Sequence, residues 1–503
     1  METKNRRWDA PVFFFFLALF LGLCCFFILA HPLPLLDTDD WAYFCGERVA
    51  LPIPRFWNPG RILPETLMPL CGIVTALLSR LLFHDYIQTQ MLVVGGVYSL
   101  FILLYLYAFF RLLRQRFDLP RGQAMLLTLL FLTLHFLVFR TAESGNKHLF
   151  STLDTACVFF YAIPALLSSS LVLFDLAGDL PEDLYRPGRV LGKGLFLAAL
   201  YLATFSNLYG SVIFAGYTGC RLLWELLGTL RRKASLASFC RTEALRLTAL
   251  GLWFLALLAE ALGGRGSGAA LHGDRLLAAW RNTLRLLGGV SPFALAFMAL
   301  ALLALLLLAA KRPDAAPSCR RGLAGLLILT IAGCVLTAVF VLLLSAVVNP
   351  TYVQRPDAVF GVFFFLFLSL CAVLAETLRR RERLGLLLPL LLLVLASAVN
   401  TKSMTFADSN CLNLPSRVCV DVDNALIDQL LQAQEWGETQ AVISCMDSDN
   451  DWNNWPHNTG QLDSILANGL WKHGVLNRPM TVTLQPSEEF TQAFGLTFTS
   501  GEY

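Results

Sequence analysis

Charge is what this 503-residue chain has least of. Asp, Glu, Lys and Arg together make 15% of it, against 56% hydrophobic residues. Mean hydropathy is +0.60. No soluble globular protein of this size has that balance, so the class is a polytopic α-helical membrane protein. CxxC and Cys/His metal spacings, Walker, Rossmann and HExxH motifs are all absent, which removes the commonest sequence signatures of structural zinc, nucleotide and metalloprotease sites. No internal repeat and no low-complexity linker occurs. Nothing calls for a nucleic-acid partner. The 13 cysteines are scattered. Cys24, Cys25, Cys157, Cys220, Cys334 and Cys371 fall in apolar runs and read as small buried hydrophobes. Cys411, Cys419 and Cys445 fall in a polar tail, where a disulfide is open if the tail lies outside the cytoplasm.

What the chain has in abundance is hydrophobic runs of spanning length. The first, residues 11–30, is too long for the core of a cleaved signal peptide and lacks a clean small-x-small site, so it reads as an uncleaved anchor. Lys4, Arg6 and Arg7 before it hold the N-terminus inside. Lys/Arg clusters at 111–121, 186–193, 231–233, 311–321 and 379–383 mark the cytoplasmic face. The chain must cross an even number of times between successive clusters. That parity lays residues 62–83, which carry Pro64, Glu65, Pro69 and Arg80, along the outer surface as a juxtamembrane helix rather than a span. About 11 spans follow: 11–30, 90–110, 122–139, 155–173, 194–205, 211–227, 244–262, 290–310, 323–347, 359–377 and 384–399. Residues 1–400 form a transmembrane domain, and 401–503 a small α/β domain outside.

Four outer loops result, at 31–83, 140–154, 263–289 and 349–358. In the third, Leu276, Leu277, Trp280, Leu284 and Leu287 share one helical face, with Asp274, Arg275, Arg281 and Arg285 largely opposite, the pattern of a second surface-lying helix. The tail turns rich in Asp, Asn, Gln and Trp. Residues 421–436 read as a helix capped by Asp423, 439–444 as a strand, 460–475 as a helix and 480–484 as a strand.

The chemistry-bearing residues concentrate at the outer face. Asp37, Asp39 and Asp40 with Trp41 stand just beyond the first span, where clustered carboxylates repel one another and cost free energy near low dielectric. Adjacent carboxylates take different roles, one in proton transfer and one in orientation. The plain alternative is a solvated loop whose aspartates cap a helix. Phe56-Trp57-Asn58-Pro59-Gly60-Arg61 follows; Arg61 either pairs with an aspartate or holds a phosphate. Lys147 and His148 lie in the second outer loop, against the alternative of snorkelling cations. Tyr352 and Arg355 lie in the fourth, where a salt bridge from Arg355 to Asp357 is the alternative. Ser206-Asn207-Leu208-Tyr209-Gly210 is a polar turn between short spans, and polar backbone at that depth lines a cavity or makes a tight turn. Trp452, Trp455, Trp471 and His457 in the tail stack on a sugar, sit at the lipid interface or fill the tail's own core. Asp447, Asp449 and Asp451 lack the Gly and terminal Glu of a calcium loop and read as solvated.

The anchor helix, the outer loop bearing Asp39-Asp40-Trp41 and Asn58-Pro59-Gly60-Arg61, the surface helix, the many spans and the outer C-terminal domain together resemble the GT-C superfamily of integral-membrane glycosyltransferases. Within it they look most like bacterial enzymes that glycosylate O-antigen or other surface polymers. The resemblance implies an inverting transfer of a sugar from a polyprenyl-phosphate carrier to a glycan or lipid acceptor at the outer face of the bacterial inner membrane. Asp39 or Asp40 would be the general base, and Arg61, Lys147 and Arg355 the phosphate-holding cations. Asp37, Trp41, Asn58, His148, Asn207, Tyr209 and Tyr352 complete the substrate-binding candidates. Some members need a divalent cation, Mg or Mn, and others do not; with three aspartates here the metal stays open. A soluble nucleotide-sugar donor would demand a cytoplasmic phosphate-binding domain, and no cytoplasmic segment is large enough to fold one. The other readings are a transporter or flippase of a lipid-linked glycan, which would need polar residues at mid-membrane depth, and a polymerase or ligase of surface polysaccharide, which usually works through outer arginines and histidines.

Overall fold

The computed structural model describes residues 10–36, 38–45, 61–83, 85–142, 145–178, 190–262, 271–310, 317–380, 382–399, 406–409, 414–446 and 459–495. Helices dominate. They are α1 (Ala10–Cys24, continued by a wider π-helical turn to Ala30), α2 (Thr38–Phe44), α3 (Ile62–Leu78, continued to Phe83), α4 (Tyr86–Arg116), α5 (Arg121–Phe136) and α6 (Thr155–Cys157), which runs through a π turn into α7 (Ile163–Ala177). There follow α8 (Val190–Thr204), α9 (Leu208–Arg231), α10 (Leu236–Thr242), α11 (Ala244–Leu262), α12 (Gly273–Gly288), α13 (Pro292–Ala310), α14 (Pro317–Val348), a 3-10 turn at Pro350–Gln354, α15 (Pro356–Arg380) and α16 (Glu382–Val399). The tail adds α17 (Ser416–Glu435), α18 (Thr459–Lys472) and α19 (Glu488–Ala493). A two-residue hairpin, β1 (Thr141–Ala142) with β2 (Gly145–Asn146), and a parallel pair, β3 (Gln440–Met446) with β4 (Thr481–Ser487), are its strands.

Each expected span falls on a helix, and the protein is a multi-pass helical membrane protein. Among the described residues, seven stretches are long and apolar enough to cross a bilayer: Ala10–Ala30, Ile62–Leu82, Tyr86–Arg116, Thr155–Ala177, Ala244–Leu262, Leu323–Val348 and Pro356–Arg380. The count of eleven is therefore not set by helix length and composition. Ile62–Leu82, laid on the surface by charge parity, qualifies by both. At 31 residues α4 is about 46 Å long, well beyond the ~30 Å hydrocarbon layer, so a helix of this length cannot lie wholly within it untilted.

The chain divides into two compact units. The first takes the chain up to Leu21, Phe101–Ser151 and Tyr161–Phe406. Its centre is α15, apolar on nearly all sides and buried along its length, packed against α5, α7, α9, α13, α14 and α16. At one end of the α7, α9 and α11 bundle a buried ionic cluster forms. Asp175 accepts from Tyr217 Oη (2.5 Å) and Arg246 Nη2 (2.6 Å), and Arg246 Nη1 also reaches Glu243 (2.7 Å). These charges satisfy one another, as buried charges must.

Helix α12 shows three faces. Leu277, Trp280, Leu284 and Leu287 are exposed and apolar; Ala279 and Asn282 are buried, with Asn282 donating to Pro350 O (2.9 Å); Arg281 and Arg285 stand exposed along a third edge. An exposed apolar face, a buried face and an exposed charged edge are the pattern of an interfacial helix.

The second unit gathers Gly22–Leu100 and Thr152–Phe160 with the tail, Ala407–Tyr503. In the tail β3 and β4 pair in parallel, with α18 between them in sequence, and Ala441, Ile443, Val482 and Leu484 turn inward at period two. Helix α17 starts at Ser416, after Pro415, not near 421. Asp423, expected as its cap, lies two turns in and is fully buried. Cys419 and Cys445 are both buried, and no disulfide joins them to each other. Cys411, Trp452, Trp455, His457, Asp447, Asp449 and Asp451 lie outside the described residues, and Trp471 is exposed.

Candidate functional site

Two groups of the expected residues come together, one in each unit. In the second unit, Asp39 and Asp40 open the short helix α2. Successive helical residues point about 100° apart, and their surroundings differ accordingly. Asp40 is completely buried. Its carboxylate accepts from the backbone N–H of Leu36 (2.7 Å), Thr155 (3.3 Å) and Ala156 (2.5 Å). The last two belong to the first turn of α6, where free amides and the helix dipole favour an anion. Asp154 completes that turn by capping Cys157 N–H (2.5 Å). Asp39 is exposed, and its carboxylate meets no hydrogen-bond donor among the described residues. Of the adjacent pair, one carboxylate is committed to the fold and the other is open.

Arg61 is drawn to the same face. Its Nη1 donates to Tyr43 Oη (3.1 Å), and its guanidinium lies 6.0 Å from the Phe160 ring centre. Tyr43 stands four residues after Asp39, hence on the same side of α2. Tyr43 in turn packs edge-on against Phe160 (5.2 Å). The remaining guanidinium N–H groups meet no acceptor among the described residues. Trp41, a substrate-binding candidate, is 1% exposed and serves as core. Asp37 and Asn58 lie outside the described residues.

The second group, in the first unit, surrounds a cavity of about 360 Å³ lined by Tyr161, Asn207, Leu208, Tyr209, Leu257, Glu260, Ala261, Leu344, Val347, Val348 and Tyr352. It stands at the opposite end of the α7, α9 and α11 bundle from the ionic cluster. Helix α9 begins at Leu208, three residues earlier than expected, because Asn207 Oδ1 caps Tyr209 N–H (2.7 Å). Gly210 allows the close approach of α7: a Cβ there would lie 2.9 Å from Ala165 N and Pro164 Cβ. Tyr209 Oη bonds Ser345 Oγ (3.1 Å), fixing its ring in the wall.

Arg355 forms the salt bridge that stood as the alternative. Its Nε and Nη2 hold both oxygens of Asp357 (3.0 and 2.7 Å), and its guanidinium stacks over Tyr161 (4.3 Å) and Tyr352 (4.9 Å). A fork–fork pair neutralises the charge that phosphate binding would use, so Arg355 braces two tyrosine walls instead. His148 is buried and stacks on Phe136 (5.0 Å), with Phe406 edge-on beside it (5.6 Å). It belongs to an aromatic core. Lys147 beside it is exposed.

Sequence reasoning missed Tyr43, Tyr161 and Glu260. Tyr161 and Glu260 lie within apolar helices and have no flanking motif. Tyr43 carried a signal, its i+4 spacing from Asp39. Among the described residues no three His, Cys, Asp or Glu side chains gather as a metal site. Compared with protein-family models, with curated proteins and with solved structures, the chain matches none.

Proposed function

We propose that this membrane protein is an inverting glycosyltransferase using a polyprenyl-phosphate-linked sugar, with Asp39 as general base. The observation that carries the reading is the unequal pair on α2: Asp40 held by three backbone amides, Asp39 open. Transfer needs a carboxylate free to take a proton, held on a rigid element. The acceptor hydroxyl gives its proton to Asp39 as its oxygen attacks the anomeric carbon. The bond from that carbon to the phosphate oxygen breaks, and the lipid phosphate leaves with the electron pair. Attack from the face opposite the leaving group inverts the centre.

Arg61, tied by Tyr43 to the Asp39 side of α2, is the cation best suited to the leaving phosphate, since guanidinium matches phosphate in geometry and charge. Its partner is a neutral phenol, whereas Arg355 is already paired with a carboxylate. The tyrosine-lined cavity offers aromatic faces, the Asn207 amide and the Glu260 carboxylate, a mixture suited to a ligand with hydroxyl groups and an apolar part. In this reading the N-terminus lies in the cytoplasm of a bacterium and the tail in the periplasm, with the ionic cluster inside and the tyrosine cavity outside.

The test is transfer by purified protein in lipid nanodiscs, using polyprenyl-phosphate sugars and mass spectrometry of surface glycans from a strain lacking the protein. Asp39→Asn abolishing transfer while leaving the fold intact supports the reading. Full transfer by Asp39→Asn sinks it.

A further inference from the structure

We infer that the C-terminal module positions the Asp39 helix, with Gly469 and His473 as its positioning residues. The inference rests on the proposed role of Asp39. Seven residues make too short a helix to persist by itself in water, so tertiary contacts must fix the direction of α2. Asp40 anchors its first turn. The far end, Phe44 and Cys45, is gripped from two sides by glycine.

On one side Gly72 of α3 lies so close to the Phe44 carbonyl that a Cβ there would overlap its oxygen, and would come within 2.9 Å of His473 Cε1. On the other, Gly469 of α18 meets Cys45. A Cβ on Gly469 would overlap Cys45 Cβ and lie 2.6 Å from its Sγ. A Cβ is fixed by the backbone and cannot swing away, so any side chain at either position pushes a helix aside. His473, in the turn ending α18, locks the arrangement. Its Nδ1 bonds Tyr86 Oη (2.6 Å), and its carbonyl accepts from Arg80 Nη2 (2.7 Å). Residues of the tail, of α3 with its continuation and of α4 thus converge on the end of α2 opposite Asp40. A base displaced by about 1 Å loses up to ~100-fold in rate.

The experiment compares Gly469→Ala, Cys45→Gly and the double variant in the full-length protein. Kinetics of transfer give kcat and KM. Independently of any activity, the rate of maleimide labelling at position 39 is read by peptide mass spectrometry in the Asp39→Cys background. Gly469→Ala lowers kcat at least about 10-fold with little change in KM, and changes the labelling rate. Adding Cys45→Gly removes the overlapping atoms and restores both. Unchanged kcat and labelling in Gly469→Ala, or a double variant as impaired as the single one, overturns the inference. A parent protein without transferase activity overturns the proposed function, yet leaves the labelling comparison to decide whether the module positions α2.

Discussion

The division of labour between Asp39 and Asp40 makes opposite demands on two conservative substitutions. In Asp40→Asn one carboxylate oxygen becomes an amide nitrogen. Oδ2 accepts from Leu36 and Thr155, and Oδ1 from Ala156. The surviving oxygen serves one side at most, so the least damaging orientation keeps the first two bonds and strands the Ala156 N–H against an NH2 group. A hydrogen bond to a charged group contributes about 1.5–3 kcal/mol, and an unsatisfied buried donor costs about 1–3 kcal/mol. The two overlap, and loss of the anion from the α6 terminus adds about 0.3–1 kcal/mol. Together they put the loss near 3 kcal/mol, a large share of the ~5–15 kcal/mol that holds a typical domain. Asp39→Asn changes an exposed group without a partner and leaves the unfolding midpoint where it was. It removes the proposed base, and transfer should fall about 10²–10⁴-fold. Thermal unfolding in detergent, followed beside transfer in nanodiscs, separates the two. An Asp40→Asn protein as stable as the parent, or one whose stability loss is matched by Asp39→Asn, refutes the assignment.

Arg61→Ala slows transfer through weaker phosphate contact, and Arg61→Lys does not fully restore it, because a point charge lacks the fork; equal rates for Lys and Arg would contradict this. Asn207→Ala removes the α9 cap and costs about 1 kcal/mol, read as a lower unfolding midpoint, with donor or acceptor KM rising as the cavity wall shifts. Asp423 has no hydrogen-bond partner for either oxygen among the described residues, and burial pushes its carboxyl well above the usual range. The folded state therefore binds its proton more readily than the unfolded chain. Its penalty is full above the folded pKa and is relieved as pH falls toward the unfolded value near 3.9. Asp423→Asn accordingly stabilises the protein at pH 8 and flattens this rise on acidification. His473 runs the other way: burial, then Arg80 and Lys472, lower it to about 4, so its contribution is intact above about pH 6.5 and lost between there and about 4. Labelling at position 39, taken relative to a free thiol at each pH because maleimide reacts with the thiolate, should change across that window, and the same ratio should stay constant in His473→Gln.

What was legible in the sequence followed from patterns that act locally or by counting. Lys/Arg clusters ordered the apolar runs. Asp175 meets Arg246 at one end of α7, α9 and α11, and Tyr161, Asn207 and Glu260 line one cavity at the other, the pairing of ends that alternating helices require. The α12 face was legible because apolar residues recur at helical spacing. Asp423 looks like a helix start because aspartates favour that position, but the helix begins after Pro415 and Asp423 lies buried two turns inside it, which burial, not local pattern, decides. Arg355 and Asp357, two residues apart, were visible as a pair, but only the Tyr161 and Tyr352 rings under the guanidinium give the pair its use. Tyr161 and Tyr352 are 191 positions apart, a separation no periodicity spans.

Which of two neighbouring aspartates is the better candidate for the proposed base could not have been read from the stretch that contains them. Helical geometry alone requires that Asp39 and Asp40 face different surroundings, since each step turns about 100°. It does not say which faces inward. That choice is made by Thr155 and Ala156, more than a hundred residues on, whose unpaired first-turn amides need an acceptor and take the carboxylate that reaches them. Asp39 is left open because a distant helix needed an anion. The same reasoning gives Asp154 its place: it satisfies the next amide of that turn, so the two aspartates share one helix end. Asp154→Ala should therefore weaken the α6 terminus and, through it, the seat of Asp40. Its defect and that of Asp40→Asn should be less than additive in unfolding free energy, because both act on one helix terminus. Strict additivity would mean that Asp40 is held independently of α6, and would remove the structural ground for choosing Asp39 as the base.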